Sequence, residues 1–73
     1  MKTMERTAVP SREIAIVGYD AESSTLEIVF RRGGVYHYFD VPLEIYQGLM
    51  SAPSRGIYFD RTVKTRFRYL KIH

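Results

Sequence analysis

The chain has 73 residues, 45% of them apolar and 14% aromatic, with no cysteine and a net charge of +3. That length supports one hydrophobic core. A domain this small buries only about 60% of the surface its unfolded chain exposes, so nearly every large apolar side chain is needed inside. The lack of cysteine excludes disulfide staples, thiolate metal sites, iron–sulfur clusters and cysteine nucleophiles, and a small domain without staples fits the cytoplasm better than secretion.

Residues 1–11 have no apolar period and mixed charge, and read as a flexible lead-in rather than a signal peptide. A single domain is expected over 12–73. No apolar run approaches the roughly 20 residues that cross a bilayer. In residues 13–19 Ile14 and Ile16 alternate with smaller or polar residues, which predicts a strand with both of them on its buried face. The polar loop 20–24 follows, and then Leu26, Ile28 and Phe30 alternate in a second strand. Arg32-Gly33-Gly34 is the expected turn and 35–39 the third strand. A three-residue loop would set Phe30 opposite Tyr36 and Ile28 opposite Tyr38, keeping the large side chains on one face, with Gly34 at positive φ. His37, Phe39 and Arg31 would then look outward.

Pro42 suits the first position of a helix carrying Ile45, Tyr46, Leu49 and Met50, and that helix must end by Pro53. Ser54 is a good N-cap for a second helix, in which Gly56, Phe59, Val63 and Phe67 would face the core and Ile57, Arg61, Lys64 and Arg68 the solvent. Residues 69–73 either add a short final strand or trail away. The expected fold is α+β: a three-stranded antiparallel meander packed on two C-terminal helices, with Leu26, Ile28, Phe30, Ile45, Leu49, Phe59 and Val63 in one core.

The inventory for catalysis is thin. His37 stands alone in a strand, Ser23 and Ser24 have no nearby histidine, and Asp20, Asp40 and Asp60 lack metal-ligand spacing and read as turn and cap residues, so neither an enzyme nor a metal or cofactor is expected. Charge is more informative. Residues 1–50 carry five Lys/Arg against seven Asp/Glu, whereas 51–73 carry six against one, a net +5 that points to an anionic partner. Aromatic residues lie among these cations, the combination by which single-stranded nucleic acids are bound: rings stack on bases while Arg and Lys follow the phosphates.

The ordered segments Gly18-Tyr19-Asp20, Leu26-Glu27-Ile28-Val29-Phe30, Gly34-Val35-Tyr36-His37-Tyr38, Val41-Pro42 and Ala52-Pro53-Ser54-Arg55-Gly56-Ile57-Tyr58-Phe59-Asp60 together resemble the KTSC domain family over roughly residues 11–70. The Tyr36-His37-Tyr38 triplet is the family's hallmark. Asp60, where relatives often carry Asn, and Arg12, where a second Ser is common, depart from the pattern. The family is named for its place at the C-terminus of some lysyl-tRNA synthetases, so the resemblance implies RNA, tRNA included, as partner. The leading expectation is a non-enzymatic RNA-binding module in which Arg55, Arg61, Lys64, Arg66 and Arg68 hold phosphates and Tyr36 or Tyr38 stacks on or hydrogen-bonds to a base or ribose. The alternative is a protein-interaction module that docks a partner or a second copy through a sheet edge or the tyrosine face.

Overall fold

A computed structural model describes residues 4–73. Strands β1 (Glu5–Ala8), β2 (Ile14–Asp20), β3 (Thr25–Phe30) and β4 (Val35–Tyr38) are followed by helices α1 (Leu43–Ser51) and α2 (Arg55–Thr62) and by strand β5 (Tyr69–Lys71). All neighbouring strands are antiparallel, and the sheet order is β1-β2-β3-β4-β5. The fold is therefore α+β as expected, with five strands where the sequence predicts three and an optional fourth. Residues 5–8, read from sequence as part of the lead-in, instead form β1. Its pairing with β2 is a backbone interaction, and all four of its side chains are exposed, so no apolar alternation announces it. The first three residues of the lead-in lie outside the described residues.

The core is a single cluster in which Ile14, Val17, Leu26, Ile28, Val41, Leu49 and Val63 are fully buried and Tyr38 and Phe59 nearly so. Of the core expected from sequence, Phe30 and Ile45 are only partly buried against this cluster. In β2 the buried face differs from the expected one. The register with β3 shifts between Ile14 and Ile16, so Ile14 and Val17 share the buried face while Ile16 pairs with Val29 on the other.

The β3–β4 hairpin also corrects the expected pairing. Ile28 faces Tyr36 and Leu26 faces Tyr38, two residues from the expected register. The loop does contain three residues, but they are 31–33, closed by the Phe30 N–H to Gly34 O and Gly33 N–H to Phe30 O hydrogen bonds, each 3.0 Å. Gly34 has the positive φ expected of it, 102°, and Gly33 inside the loop has one too, 107°. Because a shift of two preserves side-chain parity, Tyr36 and Tyr38 remain on the face of Leu26 and Ile28.

Pro42 is the N-cap of α1 rather than its first helical residue. Ser54 caps α2 as expected, its hydroxyl accepting from the Ile57 N–H at 3.3 Å. The helix stops at Thr62, in the β-branched run Thr62-Val63, and a turn bonded from Arg66 and Phe67 N–H to Val63 O carries the chain to β5. The solvent face predicted for Arg61, Lys64 and Arg68 is thus not one helical stripe. Asp20 does fill a turn role, accepting from the Glu22 N–H and the Ser23 hydroxyl, and Asp40 takes the left-handed φ of 58° that Asp tolerates at a strand exit.

Candidate functional site

Register alone brings three tyrosines together. Tyr36 pairs with Lys71 and Tyr38 with Tyr69 across β4 and β5, so Tyr36, Tyr38, Tyr69 and Lys71 share the helix-side face of the sheet. The rings of Tyr36 and Tyr38 lie 6.3 Å apart at 22°, and Tyr69 leans on both at 5.7 and 5.5 Å. Beneath them Phe59 from α2 meets Tyr38 and Phe30 edge to face, at 5.3 and 5.6 Å. Tyr38 is buried, Tyr36 half-buried and Tyr69 57% exposed, so the cluster grades from core to surface.

Beside these rings runs an open groove of about 790 Å³, lined by Phe30, Tyr36, Tyr38, Phe59 and Tyr69 and by Arg12, Glu13, Arg32, Asp60 and Lys64, with Gly33 and Thr65. A smaller hollow of about 310 Å³, at the start of α2, adjoins the groove, with Arg12, Glu13 and Asp60 lining both. Burial, and then the neighbouring Tyr36 and Tyr69 hydroxyls, push the Tyr38 phenol up to about 12, so it stays a neutral O–H donor at physiological pH. That hydroxyl has no hydrogen-bond partner among the described residues.

The cations divide into two groups. Arg6 bonds Glu27, Arg31 bonds the carbonyls of Ser11 and Val9, Arg55 bonds Met50 O at 2.7 Å, and Arg68 reaches Asp40 at 3.3 Å. Among the described residues, Arg12, Arg32, Arg61, Lys64, Arg66 and Lys71 make no side-chain hydrogen bond or ion pair. Of the residues predicted from sequence, Tyr36, Tyr38 and Lys64 therefore meet at the groove. Arg61 and Arg66 are exposed but away from its lining, Arg68 is held at an exposed ion pair, and Arg55 caps the end of α1. Sequence reasoning missed Arg12, Arg32 and Tyr69. The β1–β2 loop brings in Arg12, the hairpin loop Arg32 and the β4–β5 pairing Tyr69, although Arg32 beside Gly33-Gly34 was a visible basic loop tip.

His37, expected to look outward as an ordinary surface residue, lies on the opposite sheet face and is engaged. Its Nε2 is 2.8 Å from Glu27 Oε2, and Arg6 donates to the same carboxylate from the other side. The Arg6 hydrogen bond, helped by His37 and opposed by burial, holds the Glu27 carboxyl below its usual range. Among the described residues no three His, Asp or Glu side chains are grouped to hold a metal ion, and no helix is long and apolar enough to cross a membrane.

A family model described as the KTSC domain matches residues 10–67. A crystal structure of a KTSC domain protein from Yersinia pestis superposes with a TM-score of 0.94 at 42% identity, over 97% of this chain and all of that one. An uncharacterised protein of Stutzerimonas stutzeri is 39% identical over 94% of this chain and 99% of its own length. A lysine–tRNA ligase of Trichormus variabilis is 43% identical over 70% of this chain, a segment that makes up 9% of the ligase.

Proposed function

This chain belongs to the KTSC domain family, and from that premise we propose that it is a small non-enzymatic RNA-binding module, at work in the cytoplasm, whose binding surface is the tyrosine groove. The observation that carries this reading is the company the tyrosines keep: a graded stack ending in the exposed ring of Tyr69, beside Arg12, Arg32 and Lys64, none of which has an intramolecular partner among the described residues. An unpaired base stacks on Tyr36 or Tyr69 while these cations meet the flanking phosphates, the division of labour by which single strands are held. Likeness to a segment of lysine–tRNA ligases supports tRNA as one such strand. The mixed charge of the groove, with Glu13 and Asp60 at one end, favours a strand that enters in one orientation over a bare polyanion. The test is binding of total tRNA and of a single-stranded RNA pool at low and high salt. Affinity for both falls steeply as salt rises if phosphates are contacted, and an absence of salt-dependent binding refutes the proposal.

A second reading, docking of a protein partner or a second copy, draws support from β5. This strand is the sheet's last, and Leu70 within it and Ile72 just after it are 57% and 40% exposed. Concentration-dependent mass in sedimentation, lost in a Leu70→Lys variant, supports that reading, and a monomer at all concentrations removes the second-copy form of it.

A further inference from the structure

The sheet has a second face, turned away from the helices, and a row of apolar residues crosses all of it. Pairing aligns Ala8, Ile16, Val29 and Val35 across β1 to β4, and the Ile72 N–H to Val35 O bond, 2.7 Å, adds Ile72 beyond them. Ala8 and Ile72 are exposed and the other three partly so, and among the described residues none of the five packs against the core cluster. The next row, two residues along each strand and so on the same face, runs Arg6, Gly18, Glu27, His37 and Leu70. Its polar side chains are joined to one another, Arg6 and His37 both meeting Glu27. An antiparallel sheet with one face in solvent ordinarily sets polar residues outward, and Val29 and Val35 on the two middle strands of the hairpin break that rule.

We infer that this face docks a second copy of the chain, sheet against sheet, in a weak two-fold dimer that leaves the tyrosine groove open on the other side. The inference does not rest on RNA binding, and it differs from pairing at the β5 edge because the contact crosses all five strands. Charge favours a second copy as the occupant. In a chain of net charge +3 the formal charges of these two rows, Arg6 and Glu27, cancel, so two copies meet here without the repulsion that the basic surfaces impose. Geometry favours it too. A two-fold axis lying along the apolar row stacks that row on itself, residue over residue, and sends the two Arg6, Glu27 and His37 rows to opposite sides, so no charge faces its own copy. The polar row is satisfied within itself and needs no partner group. Five strands about 4.8 Å apart, with contact two residues to either side of the row, make a strip of roughly 24 by 17 Å, or about 800 Å² over both copies. That is the size of a transient interface, and the dimer is expected to be weak.

The experiment is sedimentation equilibrium of the intact chain from about 10 μM to about 1 mM, the range of weak association, beside Ala8→Lys, Thr7→Lys and Val29→Lys variants. Thr7 and Ala8 are adjacent and both exposed in β1, the strand farthest from β5, and their side chains leave opposite faces of the sheet. The two lysines therefore add the same charge to the same edge and differ only in the face that carries it. The parent's mass is expected to rise from 8.5 kDa toward twice that value with concentration. Thr7→Lys follows the parent, Ala8→Lys dimerises at least about tenfold more weakly, as one unfavourable contact requires, and Val29→Lys stays monomeric. Melting curves check each fold, and Ala8→Lys, at an exposed site, decides the matter if Val29→Lys does not fold. A parent that is monomeric throughout overturns the inference, and its binding to phosphatidylcholine vesicles would then give the face to a lipid surface. Equal weakening by Thr7→Lys and Ala8→Lys, or a dimer that both retain and Leu70→Lys loses, means edge pairing and overturns it as well.

Discussion

Arg6 on β1 reaches across the whole width of β2 to grip Glu27 on β3, its Nε 2.5 Å from Glu27 Oε1, and it can do so because the residue between them is Gly18. The register aligns Arg6, Gly18, Glu27 and His37 in one row across four strands, on the face the core does not use. A Cβ on Gly18 would stand 3.2 Å from Arg6 Cγ and 2.8 Å from Met4 Sδ. Replacing Gly18 with Val is therefore expected to displace Arg6, leave the buried Glu27 Oε1 without its partner while His37 keeps Oε2, and loosen β1. The cost is about 1–3 kcal/mol, the range for leaving a buried hydrogen-bonding group unsatisfied, measured by urea unfolding. Hydrogen exchange should localise the added opening to β1 and β2, and protection equal to the parent's in those strands would refute the account.

The same row sets an acid response. Because Arg6 and then His37 hold the folded Glu27 pKa below its unfolded value, the carboxylate contributes stability above the unfolded pKa. That contribution is lost as pH falls through the folded one. The parent should lose stability from about pH 5 downward more steeply than Glu27→Gln, which begins less stable and has no such proton to take up. Parallel stability curves for the two proteins over that interval would contradict it.

The alkaline limb belongs to Tyr38. Its folded pKa, about 12, lies above the unfolded value of 10.0, so its contribution is complete below pH 10 and fades as pH rises through 12. Ultraviolet titration of the phenolate band should resolve one tyrosine that ionises after the others, and that late step should vanish in Tyr38→Phe.

How much of this was legible in the sequence depends on the kind of interaction. Leu26, Ile28, Leu49, Phe59 and Val63 alternate or recur at helical spacing, and the structure buries all five. Ile16 deceived because a bulge, which no side-chain pattern records, moved Val17 into its place. β1 was invisible since its stability comes from backbone pairing and from one long-range ion pair of Arg6. For the groove, Tyr36 and Tyr38 were readable from parity, which survives a two-residue slip of register, and Lys64 from local charge. Arg12 and Arg32 could not be placed, because the loops that deliver them lie 20 residues apart in sequence and meet only once Ile14 pairs with Phe30. The expected basic helix face failed for a local reason: α2 ends at Thr62, before the residues that were to extend it.

Close packing of the two helices rests on Gly48. A Cβ there would lie 2.1 Å from the Tyr58 hydroxyl oxygen and 2.7 Å from its Cζ, so Gly48→Ala must push Tyr58 out of its seat. Alanine is the better helix former by about 1 kcal/mol. The expected net effect is nevertheless destabilisation by roughly 1–3 kcal/mol, the ordinary cost of overpacking. Tyr58→Leu in the Gly48→Ala background should recover part of the loss, and a Gly48→Ala protein that melts above the parent would show that the helices separate freely.

Binding should follow the free cations and not the charge of the C-terminal segment as a whole. Arg32 and Lys64 line the tyrosine groove without partners among the described residues, whereas Arg68 is already beside Asp40 and Arg66 stands off the groove. Under the proposed function, Arg32→Glu with Lys64→Glu is expected to abolish binding of single-stranded RNA. Their single Ala variants should each lower the slope of log affinity against log salt by about 1, the signature of one lost phosphate contact. Arg66→Glu changes net charge by the same amount as either single reversal, so it controls for long-range attraction and should weaken binding modestly and mainly at low salt. Melting temperatures should hardly move in any of these variants, because exposed charges contribute little to stability. If Arg66→Glu is as damaging as Lys64→Glu at both salt concentrations, the attraction is a diffuse field rather than contact at the groove, and the assignment of the binding surface to Tyr36, Tyr69, Arg32 and Lys64 is wrong.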